Sequence, residues 1–386
     1  MARISDAALD DLRERNPVHA VASRWVALRA RGGGRFIGAC PICSADTSSR
    51  TAGRFECDSG KWVCAVCCDG GDVIRLVQRV EGAGFREAVA SLGGVGEIDS
   101  DEQARREAER AARREREAVD EARRRELERA RCWDIWGGGE LLHSRGIVAR
   151  YLELRGLEVP VTAPLRSAES VAYWHPDTDG RNRPIYSGPA QLAAIQDASG
   201  RFGGVHITWV DLAQPGGKAV IVDPETGEVL PSKKVRGVKQ GGAIRLITPQ
   251  EPRRMIMGEG IETSLSPWSA ALRAGRELAG LAVWSSVDLG NMGGRALTTV
   301  QHPIARDAAG RPRRVPGGEP DMSVPGIAIP DCIEDVVLLG DGDSDAFLTR
   351  LTLQRAARRY AAPGRKVRAA WAPAGMDFND VLRGAA

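Results

Sequence analysis

Three aspartates, Asp341, Asp343 and Asp345, stand at alternate positions in VVLLGDGDSDAF, directly after an apolar run. Such a run reads as a strand buried on both faces, as in a parallel sheet. Carboxylates two residues apart repel one another unless a cation lies between them. The crowding therefore points to a divalent-metal site at the carboxyl edge of an α/β sheet. The competing reading is an acidic turn in which Asp345 caps the next helix. The same pattern recurs upstream, where RRMIMGEGIETSLS runs from a short strand through Gly258-Glu259-Gly260 into helical sequence. Further on, KVRAAWAP reads as another strand and GMDFNDVL as a turn carrying Asp377 and Asp380. Three strand ends thus present Glu259, then Asp341 with Asp343, then Asp377, and in a parallel βαβ sheet these ends share one edge. An oxygen-only set of this kind suits magnesium or manganese.

A second set of ligands is sulfur. Of the eight cysteines, most fall between Cys40 and Cys68. Cys40-Pro-Ile-Cys43 and Cys64-Ala-Val-Cys67 form two CxxC pairs whose spacing suits one tetrahedral zinc ion held by Cys40, Cys43, Cys64 and Cys67. Cys57 and Cys68 are left over; Cys68 adjoins Cys67, so Cys57 is the better-placed substitute ligand. RFECDSGKWVC supplies a hairpin between the pairs, turning at Asp58, Ser59 and Gly60. The segment GGDVIRLVQRVEGAGFREAVASLGG then predicts two short helices, with stripes of Ile74, Val77 and Val80 and of Phe85, Val89 and Leu92.

The elements that must position these sites follow. Residues 101–131 are almost entirely Glu, Arg, Ala and Asp. Opposite charges at i,i+3 and i,i+4 support a helix, but no apolar seam runs along it. A solvated helix of about 45 Å results, at 1.5 Å per residue, and it reads better as a tether than as a basic nucleic-acid-binding helix. YLELRGL opens a new domain, and AQLAAIQDASGRFGGVHITWVDL alternates strand and turn. Lys233, Lys234, Arg236 and Lys239 precede Gly241-Gly242, a pattern able to bind nucleic-acid backbone or triphosphate; a solvated basic loop is the plain alternative. PGGKAV is not a Walker A loop, because the upstream glycine and the final Ser/Thr are missing. His175 and His206 read as structural.

Composition narrows the classes. At 386 residues the chain has room for two or three domains. No apolar run approaches the ~20 residues of a membrane span, and MARISDAALDDLRERN lacks the apolar core of a secretory signal. A cytoplasmic protein without a membrane partner is expected. The net charge of +3 is too small to argue nucleic-acid binding alone.

Two resemblances add to this. CPIC, GKWVCAVCCDGGDVIRLV and GFREAVASL resemble the zinc-binding domain of DnaG-type primases, which implies recognition of single-stranded template. That family usually places histidine where this chain has Cys43. GEGIETSLS, LLGDGDSDAF and GMDFNDVL resemble the Toprim domain of primases, topoisomerases and certain nucleases. The resemblance implies that Glu259, Asp341 and Asp343 are catalytic and bind magnesium. Asp377 matches the first of two further acids, whereas Asn379 stands at the second. The segment from YLELRGL to GGAIRL resembles the region before Toprim in primases of phages and mobile elements.

The fold class expected is α/β multidomain: a zinc ribbon (1–98), a charged helical linker (99–131), an α+β subdomain (132–250) and a Toprim domain with a Rossmann-like parallel sheet (251–386). Arg295 to Gly326 looks like an insertion without assignment. The resemblance implies a DNA-directed RNA primase of phage or mobile-element kind. It would take single-stranded DNA and NTPs, with zinc as structural and magnesium or manganese as catalytic metal, and would work with a separate helicase in a bacterial host cell. A Toprim nuclease and a non-catalytic single-stranded-DNA-binding protein are the rivals. A topoisomerase would need a nucleophilic tyrosine in a large gate domain, and the chain has only four tyrosines.

Overall fold

The computed structural model describes residues 4, 6–43, 55–64, 69–94, 100–143, 145–177, 179–306, 310 and 312–384. The chain splits into two compact units, Met1–Ala118 and Val119–Ala386.

In the first unit, α1 (Asp6–Arg15) and α2 (Val18–Ala22) precede an antiparallel meander. Its strands are β1 (Leu28–Gly32), β2 (Arg35–Gly38), β3 (Phe55–Cys57), β4 (Trp62–Cys64) and β5 (Asp69–Gly71). The expected hairpin is β3–β4, and its turn is built by Asp58, whose Oδ1 accepts from the N–H groups of Gly60 and Lys61 at 2.7 and 2.8 Å. Then come α3 (Val73–Glu81) and α4 (Phe85–Ser91). Asp72 caps α3 by accepting from the Arg75 N–H, and Gly82 ends it at φ 67°. Ile74, Val77, Val89 and Leu92 are buried as expected, but Phe85 is 43% exposed. A side chain at the first helical position leans back past the end of the packed face, which takes Phe85 out of the stripe.

The charged segment forms α5 (Ser100–Gly137), laced by pairs such as Arg105–Glu109 and Arg113–Glu117. It runs on to Gly137 instead of ending at 131 because its sequence turns apolar at CWDIWG. Cys132 is buried there, Trp133 and Trp136 pack on Phe202, and the Arg166 guanidinium lies 4.0 Å over the Trp136 ring. The end of the helix is thus core, not tether.

The second unit holds two sheets. The first contains β6 (Glu140–Leu141), then, after α6 (Ile147–Leu154), β7 (Leu165–Pro176), β8 (Asn182–Gln196) and β9 (Phe202–Trp209). A small hairpin of β10 (Ile221–Val222) and β11 (Val229–Leu230) leads to β12 (Lys233–Gly237), giving the antiparallel order β12-β9-β8-β7-β6. The second sheet contains β13 (Ile244–Ile247), β14 (Arg254–Gly258), then α7 (Ile261–Arg273), β15 (Leu281–Ser285) and α8 (Leu289–Gly293). The β16 (Thr299–Arg306) and β17 (Pro312–Pro316) hairpin lies within the expected insertion. After it come β18 (Asp335–Gly340), α9 (Ala346–Tyr360), β19 (Lys366–Trp371) and α10 (Phe378–Arg383). Strand order is β13-β15-β14-β18-β19, with β15, β14, β18 and β19 parallel and β13 antiparallel at the edge.

One core joins the two sheets: Ala193 and Ile195 of β8, with Val210 just past β9, pack with Ile261 and Leu265 of α7 and Val283 of β15. The other face of the parallel sheet buries Met255, Met257 and Val336 under Leu353, Ala356 and Tyr360 of α9. Among the described residues no helix is long and apolar enough to cross a membrane.

Candidate functional site

The zinc ligands of the first unit converge. One sulfur each from Cys40, Cys43 and Cys64 lies within 4.8 Å of the others, and the Cys43 and Cys64 sulfurs are 3.9 Å apart. Tetrahedral zinc bound at ~2.3 Å spaces its sulfurs by about 3.8 Å, so the trio fits the ion. Burial pushes the Cys40 thiol up to about 11, so it takes a metal to displace that proton. The predicted fourth ligand, Cys67, lies outside the described residues, as does Cys68. Cys57 is buried but not a member of the trio, and burial pushes its thiol up to about 11.

In the second unit the strand order does what the acidic motifs require. β14, β18 and β19 are neighbours and parallel, so Glu259, Asp341, Asp343 and Asp377 all follow strand ends on one edge. Ser285 Oγ donates to the Glu259 carbonyl at 2.8 Å and fixes that turn. The Thr263 hydroxyl donates to Asp341 Oδ2 at 2.9 Å, and the Phe378 N–H approaches Oδ1 at 3.4 Å. Gly342 is forced by space, because a Cβ there would stand 2.0 Å from the Pro373 carbonyl oxygen. Asp345 caps α9, accepting from the Leu348 N–H at 2.9 Å, which is the plain reading of that residue. Asp377 caps α10 through the Asp380 N–H at 2.7 Å and faces Arg155 at 3.9 Å. Asn379 is buried and donates to the Arg155 carbonyl and Ser266 Oγ at 2.7 and 3.1 Å, which ties α10 to α6 and α7.

Burial first, then Asp341 and further acids, raises Glu259, with Lys233 pulling it back. Burial also raises Asp341, against the bonds from Thr263 and Phe378 and together with repulsion from Asp377 and Asp343. The all-oxygen donor set suits a hard divalent cation. Among the described residues, however, no three of these carboxylates close to within 4.8 Å, as the cysteines do.

The four predicted basic residues do not form one patch. Lys233 meets Glu262 at 3.2 Å, and Lys239 pairs with Asp288. Lys234 and Arg236 alternate onto the opposite face of β12, lining a cleft of about 580 Å³ with Trp174. There Lys234 lies 3.8 Å over the Tyr173 ring, and Arg236 pairs with Glu128 at 2.7 Å.

Several residues here escaped the sequence reading. Glu262 is buried, takes the Tyr151 hydroxyl on Oε1 at 2.5 Å, and meets Lys218 and Lys233 at 3.2 Å each. Burial would raise its carboxyl, but Lys233, Lys218 and Tyr151 together hold it well below the usual range. Asp288 follows β15 on the same edge, beside Val287 at φ 75°, a left-handed conformation that is strained for a β-branched residue. His302, on β16, lies 3.0 Å from Asp345 and ties the insertion to the start of α9.

Comparison with known proteins gives matches to parts of the chain. Residues 4–108 match the family model of the CHC2 zinc finger, and residues 126–246 match a domain of unknown function, DUF7146. Over 92 residues the chain is 34% identical to a DNA primase of Streptomyces coelicolor and 32% identical to one of Mycobacterium leprae. The aligned stretch is 24% of this chain but only 14% of either relative. The crystal structure of the Aquifex aeolicus primase, zinc-binding and RNA polymerase domains, is 17% identical with a TM-score of 0.35, over 99% of this chain and 83% of that one. A DnaG primase catalytic domain bound to ssDNA is 15% identical with a TM-score of 0.39, over 68% and 78%. At such scores the likeness assigns nothing to this chain. The zinc-finger match over residues 4–108 and the converging cysteine trio together make this region a CHC2 zinc ribbon with a structural zinc site.

Two outcomes follow. Cys64→Ser should release the zinc and unfold the ribbon, because such units draw their folding energy from the metal; metal analysis showing full zinc retention would contradict the assignment. At the acidic edge, Glu259 and Asp341 hold their protons longer in the folded chain than in the unfolded one. Their effect is nil below the ordinary carboxylate range, and stability falls as pH rises through it. At pH 7 without divalent cations, Glu259→Gln and Asp341→Asn should each raise the melting temperature. A lower Tm in both would show that repulsion is absent from this edge.

Proposed function

We propose that this chain is a DNA-directed RNA primase of phage or mobile-element type, whose second unit carries a Toprim-like catalytic sheet. The observation that carries the proposal is the joining, in one chain, of a CHC2 zinc ribbon with a parallel sheet whose adjacent strand ends hold Glu259, Asp341 and Asp343. The ribbon would engage single-stranded template. The second unit would join NTPs: the 3′-hydroxyl of the growing strand attacks the α-phosphorus of the incoming NTP, and pyrophosphate leaves.

Glu259, Asp341 and Asp343 would hold the magnesium or manganese, with Asp377 beside them. When bound, such ions neutralise triphosphate charge and stabilise the developing charge of the displacement. The protein's own groups prepare this edge. Thr263 and the Phe378 N–H orient Asp341, and Ser285 fixes the backbone of Glu259. Lys233 and Lys239 lie on the same side of the molecule as the acids they offset, and suit phosphate oxygens or template backbone. Lys234 and Arg236, on the far face of β12, suit template backbone alone. No Walker A loop is present in these 386 residues, so unwinding at a fork would fall to a helicase outside them.

The test is incubation with single-stranded DNA, labelled NTPs and Mg²⁺. Primers support the proposal, cleavage of the template would mean a nuclease, and neither product would mean a binding protein. Asp341→Asn and Asp343→Asn should abolish incorporation with template binding intact. Asp345→Asn should reduce it only modestly, because asparagine caps a helix about as well as aspartate. Near-normal primer yield from Asp341→Asn would leave the acids as a turn.

A further inference from the structure

Two cations share one buried carboxylate at Glu262. Lys218 comes from the stretch that pairs with Val210, Lys233 from β12, and Tyr151 from α6, so three separate segments meet on one side chain. Counted against Glu262 alone, Lys218 and Lys233 leave one positive charge over, which Glu259 offsets only from a distance. Both lysines keep part of their side chains at the surface, 28% and 35% exposed, so the surplus charge is open to an anion. Burial of the rest pulls the Lys218 ammonium down, against the pull of Glu262.

The surroundings leave room for that anion. A Cβ at Gly260 would stand 3.8 Å from Lys233 Nζ and 3.5 Å from Glu262 Oε2, so the missing side chain keeps this side of the lysine open. The register of the antiparallel sheet places Lys233, Thr208 and Gln191 in one cross-strand row, with His206 two residues along on the same face. Gln191 and Thr208 are 0% and 1% exposed, and Gln191 Nε2 and Oε1, Thr208 Oγ1 and His206 Nδ1 have no hydrogen-bond partner among the described residues. Buried polar atoms rarely stay unpaired without a purpose. The wall behind the lysines therefore keeps hydrogen-bonding capacity in hand.

We infer that Glu262 is a positioning residue: its carboxylate holds the ammonium groups of Lys218 and Lys233 together at the Gly260 turn, as a ready-made station for the phosphate oxygens of an incoming nucleotide beside Glu259. This rests on the nucleotidyl-transfer reading of the same edge. Lys218 joins the phosphate-binding set, and Glu262 acts through the lysines without touching substrate.

The test is calorimetric titration of the full chain with inorganic tripolyphosphate, without divalent cations. The wild-type chain should bind. Glu262→Gln, which keeps the shape and an acceptor for Tyr151, should weaken binding by about tenfold while circular dichroism stays unchanged. Lys218→Gln should weaken it similarly, and Lys218→Arg should restore it to within about threefold. Unchanged or tighter binding in Glu262→Gln overturns the positioning role. Should that variant fail to fold, the Lys218 pair decides: loss with Gln and recovery with Arg support the station, and wild-type binding in Lys218→Gln overturns it. A wild-type chain that makes primers but does not bind tripolyphosphate overturns this inference alone. One that binds tripolyphosphate but makes no primers overturns the primase reading and leaves the station standing.

Discussion

A parallel sheet delivers its strand ends to one edge, and in this protein that edge gathers like charge. Glu259, Asp341, Asp343 and Asp377 follow neighbouring strands, and Asp288 follows the next. Burial and then repulsion raise Glu259 and Asp341, so the edge opposes folding when all its acids are ionised. Much of the second unit can be understood as management of that charge. Lys239 pairs with Asp288, Arg155 faces Asp377, and Lys233 lowers Glu259 from a distance. A site that stores repulsion in this way is poised to bind a cation, and stability is the ordinary cost of such preparation.

Geometry at the edge comes from backbone constraints as much as from charge. Glycine at 342 lets the β18 turn pass against Pro373, and that close approach brings the start of α10 to Asp341. Capping carboxylates set the other angles: Asp345 starts α9, and Asp377 starts α10. The aspartates of the β18 turn therefore separate in task. Asp341 is held by Thr263 and approached by the Phe378 N–H before the helix begins, whereas Asp345 spends an oxygen on the Leu348 N–H and meets His302.

What could be read beforehand was local. Three of the four CxxC cysteines, a DSG turn and three strands ending in acids depend on residues close in sequence, and among the described residues each appears where its spacing places it. The helix over 101–131 was legible from its charge pattern, but its apolar extension to Gly137 only becomes core through contact with Phe202. Glu262 could not have been read, because its tyrosine partner is 111 residues away and both lysines arrive from the other sheet. The basic run near β12 divides between two faces for a related reason. In a strand, adjacent residues point to opposite faces, so Lys233 and Lys234 part company even though they adjoin. Asn379, which stands where the resembled family carries an acid, is an interior tie between α10 and α6.

The central claim is that the acidic edge joins nucleotides, and the chemistry of the first nucleotide tests it most directly. A chain that starts a strand from free NTPs leaves the triphosphate of the first nucleotide intact at the 5′ end. The protein, incubated with single-stranded DNA, Mg²⁺ and NTPs labelled on the γ-phosphate, should yield short oligonucleotides that retain the label. Label found only in released phosphate or pyrophosphate, or a template shortened with no labelled product, would contradict the account.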